Sequence, residues 1–121
     1  MSGCVNKWIG MGNLGEDPTG KQIGDGENNF VAECRIACNE NWVDKDGQKQ
    51  EHTEWVTLIC WGKRGKALAK WFKKGDGIFA EGRLKTRDWE GDDGKKHYKT
   101  EVIVSNWEFP PGKGKKQEEG F

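Results

Sequence analysis

The chain has 121 residues, 33% of them hydrophobic and 33% charged, which provides for one domain with a modest core and excludes a third or fourth layer. No apolar run approaches the ~20 residues that cross a bilayer, and Met1-Ser2-Gly3-Cys4 lacks the charged and apolar regions of a secretory signal, so a soluble cytoplasmic protein without a membrane partner is expected. Net charge is zero, yet residues 1–60 carry 5 Lys/Arg against 10 Asp/Glu and residues 61–121 carry 15 against 10, an asymmetry that permits a basic track on a neutral protein.

Residues 5–14 alternate loosely, with Lys7, Ile9 and Met11 on one face and Trp8, Gly10 and Gly12 on the other. Glycines in a strand allow tight curvature, so a bent first strand of a barrel is expected. Residues 16–29, with Pro18, Gly20, Gly24 and Asp25-Gly26, read as a loop. From Phe30 to Cys38 the pattern is a half-buried strand, with Phe30, Ala32, Cys34, Ile36 and Cys38 inward and Glu33 and Arg35 outward. Residues 39–52 are polar, hold Trp42 and a turn at Asp46-Gly47, and are expected to project as a flexible arm.

Thr53 to Lys63 is the third strand and the most informative stretch. Trp55, Thr57, Ile59 and Trp61 share one face, while Val56, Leu58 and Cys60 share the other and suffice to anchor it on a core. Two indoles are thereby left for a face that need not be buried.

Residues 63–74 read as a helix that buries Leu68, Trp71 and Phe72 and is capped by Gly75. Residues 77–89 form the fourth strand, with Ile78, Ala80, Gly82 and Leu84 inward and Phe79, Glu81, Arg83, Lys85, Arg87 and Trp89 outward. Three cations alternating with an indole make that outward face basic and aromatic, although a charge run is usually a merely solvated surface. A hairpin tip at residues 90–96 leads to a fifth strand at residues 98–107. The polar remainder from Pro110 is expected to be disordered.

Three strands, a helix and two strands are the layout of a mainly β OB-fold, a five-stranded Greek-key barrel with its helix between the third and fourth strands. Bases of any sequence stack on aromatic side chains, and Lys or Arg beside the rings neutralise phosphates. Facing alone nominates Arg35 and Arg83 for the phosphate track. Cys4, Cys34, Cys38 and Cys60 form no C-x-x-C and lie far from His52 and His97, so reduced thiols are expected, with neither a disulfide nor a bound metal or other cofactor.

Asn6-Lys7, Gly12-Asn13-Leu14-Gly15, Thr53-Glu54-Trp55, Gly62-Lys63, Lys74-Gly75, Glu81-Gly82-Arg83-Leu84-Lys85-Thr86-Arg87, Trp89 and Tyr98-Lys99-Thr100-Glu101-Val102 occur in the order of one family. The chain resembles the bacterial and phage single-stranded DNA-binding proteins. The resemblance implies sequence-independent binding and protection of single-stranded DNA in replication, recombination and repair. It places Trp42, Trp55 and Trp89 at the family's tryptophan stacking positions and Trp61 at its stacking phenylalanine position. Lys7, Lys45, Lys63, Lys74, Lys85 and Arg87 fall where the family places cations along the DNA.

The resemblance also implies a homotetramer. Val56 stands where relatives often carry a histidine at a subunit contact, which leaves a dimer open. Residues 1–109 are then the DNA-binding domain and residues 110–121 a short tail, in which Glu118, Glu119 and Phe121 resemble the acidic tip that recruits replication and repair proteins. The compartment would be a bacterial cytoplasm, or that of the host for a phage-encoded protein. An OB-fold RNA binder, a protein-interaction module and a metal-dependent nuclease using Asp44 and Asp46 or Asp92 and Asp93 are the competing readings; the acids sit in turns, as turn formers do.

Overall fold

A computed structural model of the chain describes residues 3–111. Strands β1 (Trp8–Leu14), β2 (Thr19–Gln22), β3 (Phe30–Val43) and β4 (Lys49–Trp61) precede helix α1 (Gly62–Trp71), and β5 (Gly77–Glu90) and β6 (Lys96–Glu108) follow it. The strands are hydrogen-bonded in the order β1-β5-β6-β4-β3-β2. A further pairing of β1 with β3, at Asn13 with Ala37 and Leu14 with Ile36, closes β1, β5, β6, β4 and β3 into a barrel. The pair β4–β6 is parallel and the others are antiparallel. This is the expected OB-fold, and β2 is an added strand on the edge of β3.

Inward positions are filled as the alternation requires. Leu14, Cys34, Ile36, Leu58, Cys60, Ile78, Ala80 and Val102 are buried in one cluster with Leu68 and Phe72. Phe72 meets Trp107 edge-on with ring centroids 5.1 Å apart and stacks on Phe109 at 4.9 Å. The Trp107 indole Nε1 donates to the carbonyl of Arg64 at 3.0 Å, and the Arg64 guanidinium lies 4.0 Å from the same ring. The helix is thus fastened across one end of the barrel.

Several local expectations are corrected. Residues 39–52 are ordered as a two-stranded ribbon, with β3 and β4 paired from Val31–Trp61 to Val43–Lys49 without a register break. The Asp44 carboxylate closes its tip, accepting from the amides of Asp46 and Gln48 at 2.9 Å each and from Gln50 Nε2 at 3.0 Å. The stretch 16–29 contains β2, whose four residues are all exposed; its order comes from ladder bonds to β3 rather than from burial.

The helix ends at Trp71, and Phe72 is extended, its N–H still reaching the Leu68 carbonyl at 3.2 Å. That break turns Phe72 into the core and leaves Trp71 48% exposed. Gly75 lies beyond the helix, in a turn where its φ of 92° is one that glycine adopts freely. On β5 the core face stops at Gly82, and Leu84 is exposed. Pro110 is buried, in contact range of Gly77, so packing onto the barrel extends to that residue.

Candidate nucleic-acid interface

The outward positions of four strands form one continuous surface. Glu33, Ile59, Ile103 and Arg83 make a single row across β3, β4, β6 and β5. On its β3–β4 half, Trp55 and Trp61 are each 47% exposed, Trp55 within the β3–β4 ladder and Trp61 at its end, paired with Val31. Arg35, on the diagonal from Trp55, holds its guanidinium 4.7 Å from the indole. Behind that ring lies Gly15, where even a methyl group would overlap the indole at 2.6 Å. A residue without a side chain therefore forms the bed on which Trp55 rests.

The β5–β6 half repeats the arrangement. Trp89 is 42% exposed, stacks on its cross-strand partner His97 at 5.7 Å and 22°, and has the Arg87 guanidinium 5.0 Å from its ring. His97 in turn meets Asp93 at 3.2 Å. Residue by residue, the sequence did not single out His97; its role follows from the hairpin register, which pairs it with Trp89.

Acids on this surface are consumed by neighbours. Glu101, whose side chain is 7% exposed, is paired with Arg87 at 3.1 Å and Lys99 at 4.0 Å; Lys99 also reaches Glu33 at 3.8 Å, and Lys7 reaches Glu81 at 3.2 Å. Among the described residues, no ion pair is found for Arg35, Arg83 or Lys85. The surface thus keeps unneutralised cations on both of its halves, Arg35 on β3 and Arg83 and Lys85 on β5.

Other nominated residues lie around its rim. Lys45 is in the β3–β4 tip, Lys63 in the first turn of α1, and Lys74 in the turn after the helix, where its backbone N–H donates to Asp17 at 2.8 Å. Trp42 is 48% exposed. By the unbroken β3 alternation, however, it belongs to the opposite side of the ribbon from Trp55: Trp42 pairs with Gln50, whereas Trp55 pairs with Ala37. Trp55, Trp61 and Trp89 are brought onto one surface, and Trp42 stands at the ribbon's other side. Glu118, Glu119 and Phe121 lie outside the described residues.

The acids of the nuclease reading are engaged in turns. Backbone hydrogen bonding, from Gln48 for Asp44 and from Lys95 for Asp93, holds both carboxyls below their ordinary range. Among the described residues, no group of three or more His, Cys, Asp or Glu side chains is placed to hold a metal. No helix among them is long and apolar enough to cross a membrane.

The family model described as the single-strand binding protein family matches residues 5–110. The chain belongs to this family. Its fold is similar to that of an SSB from Plasmodium falciparum solved in complex with single-stranded DNA, at 26% identity and a TM-score of 0.81, covering 91% of this chain and 98% of that one. It is also similar to a deletion mutant of the single-stranded DNA-binding protein from Thermus aquaticus, at 25% identity and a TM-score of 0.76, over 91% of this chain and 52% of that one.

Proposed function

We propose that this protein binds single-stranded DNA without regard to sequence, without catalysis, and protects it during replication, recombination and repair. The observation that carries the reading is the continuous outer surface that presents Trp55 with Arg35, Trp89 with Arg87, and Arg83 and Lys85, for which no ion pair is found among the described residues. Each indole offers a π-face, and each stacked base contributes about 1–3 kcal/mol. Trp61 extends the stacking row, and Trp42 meets the strand where it wraps the β3–β4 ribbon. Lys7, Lys45, Lys63 and Lys74 supply phosphate contacts at the rim. Family membership and the DNA-bound Plasmodium relative favour the same ligand.

Residues 1–109 act as the binding domain and residues 110–121 as a tail for protein partners, through Glu118, Glu119 and Phe121. The domain assembles as a homotetramer or a dimer. Exposed Ile9 and Met11 on the outer face of β1 offer apolar surface for that contact, and sedimentation of the protein with Met11→Glu reads it directly.

Tryptophan fluorescence during titration with oligo-dT tests the main reading. Strong quenching by dT, weak response to duplex and to oligo-U, and loss of affinity at raised salt are expected. Absence of quenching by dT would overturn it, and equal quenching by oligo-U would transfer the site to RNA.

A further inference from the structure

Helix α1 has a surface that its own fold does not require. Residues 62–75 contain Lys63, Arg64, Lys66, Lys70, Lys73 and Lys74 and no Asp or Glu. Solvated helices ordinarily mix the two signs at i, i+4 spacing, whereas Lys66 and Lys70 stand at that spacing as like charges, which is destabilising. A polyanion lying along the side of the helix that carries Lys66 and Lys70 would relieve that repulsion.

The aromatic component is Trp71. It is 48% exposed because Phe72 fills the core position beside it. Lys70 Nζ lies 5.2 Å from the Trp71 ring, repeating the cation-beside-indole arrangement of Arg35 with Trp55 and Arg87 with Trp89. Lys66 lies 5.8 Å from the ring of Phe30 and borders a shallow hollow with Gln22, Gly24, Asp25 and Gly26. Asp25 is the acid facing that hollow.

Position joins this ridge to the sheet surface. Trp61 is the N-cap residue of α1, so the helix starts where the β4 indole row ends. Trp71 then lies ~15 Å further on, at a rise of ~1.5 Å per residue.

We infer that the outer face of α1 is a second single-stranded DNA contact, in which Lys66 and Lys70 meet phosphates and Trp71 stacks a base, continuing the strand past Trp61. The inference rests on the single-stranded DNA reading above and adds Lys66, Lys70 and Trp71, which are among neither the stacking positions nor the cations that the resemblance nominates.

The test compares oligo-dT of ~8 and ~30 nucleotides, at the low end of and well beyond the ~4–16 that one OB fold covers. Binding of labelled oligonucleotides is followed by anisotropy for the full chain and for Trp71→Ala, Trp71→Phe, Lys66→Gln with Lys70→Gln, and Trp55→Ala. Trp71→Ala is expected to weaken the long oligonucleotide at least about fivefold, leave the short one unchanged, and be largely rescued by Trp71→Phe. The double lysine variant is expected to reduce the salt slope for the long oligonucleotide by about 1.4, at ~0.7 per phosphate contact on a single strand.

If both α1 variants bind both lengths like the parent while Trp55→Ala is weakened, the ridge contacts no DNA and serves a different partner, such as an acidic protein segment. Equal losses at both lengths would place Trp71 within the first track and overturn the extension. A parent protein that binds neither length would instead overturn the single-stranded DNA reading itself.

Discussion

The Arg35 guanidinium lies 4.7 Å from the Trp55 indole, across the diagonal of a β3–β4 pair whose direct partners are Ala37 and Thr57. This contact holds the ring in place while leaving it 47% exposed, and keeps a cation beside its π-face. Trp55→Ala is expected to weaken single-strand binding by about 1–3 kcal/mol at fixed salt. Arg35→Ala should make the salt dependence shallower by about 0.7 in slope. Arg35→Lys should keep the slope but lose affinity, because an ammonium cannot lie flat on the ring as a guanidinium does. Anisotropy titrations at several salt concentrations separate the three.

Among the described residues Glu101 is the one buried acid, and it lies under the cationic surface, paired with Arg87 and Lys99. Glu101→Gln keeps the volume and removes the charge. Arg87 then loses its anion while Lys99 keeps Glu33, which is expected to lower stability by about 1–3 kcal/mol in urea titrations. The same change strips a negative charge from the binding surface, so single-strand affinity should be retained or increased. A variant that lost stability and affinity together would show that Glu101 acts by placing Arg87 rather than by neutralising it.

The parts of this surface that the sequence made legible are those where one side of a strand meets a core. Leu58 and Cys60 are buried, so Trp61 and Ile59 had to face outward, and the same alternation placed Arg83, Lys85, Arg87 and Trp89 opposite Ile78 and Ala80. Where both sides are solvated, the signal vanishes. The ribbon of residues 39–52 has no apolar side to set its register, and its order comes from the Asp44 turn and the backbone ladder; the side on which Trp42 stands depends on that register. Trp71 and Phe72 are neighbours that a helical period fits about equally well. What separates them is the end of the helix between the two, a backbone event that spacing does not reveal. β2 is exposed at every residue and carries no pattern at all.

Burial pushes the Cys34 thiol from 9.0 up to about 12, with smaller contributions from Cys60 and Glu33, and pushes Cys60 up to about 11. In the unfolded chain both thiols ionise first as pH rises, so the native state binds more protons there and stability falls. The contribution is fully present below pH 9.0 and is lost as pH climbs from there toward 12 for Cys34. Urea midpoints at pH 8 and pH 10 (about one unit on either side of the ordinary thiol value) should drop more for the parent than for Cys34→Ala. An equal drop would assign the alkaline loss to other groups. Iodoacetamide in native buffer should label exposed Cys4 and spare Cys34 and Cys60 until denaturant is added.

Two glycines distinguish fold from site. At Gly82 a Cβ would lie 2.0 Å from the Ile103 carbonyl oxygen, an atom of a paired strand that cannot withdraw without breaking the β5–β6 ladder. At Gly15 the obstacle is the outer edge of the Trp55 ring, at 2.6 Å, a half-exposed side chain that can swing toward solvent. Gly82→Ala is therefore expected to destabilise the barrel by roughly 3 kcal/mol or more, beyond ordinary overpacking because backbone must move. Gly15→Ala should leave stability within about 1 kcal/mol yet weaken single-strand binding, because the stacking ring loses its bed. Thermal unfolding and oligo-dT titration of the two variants read the difference. If Gly15→Ala bound like the parent, the resting position of Trp55 would not be the one that meets the base.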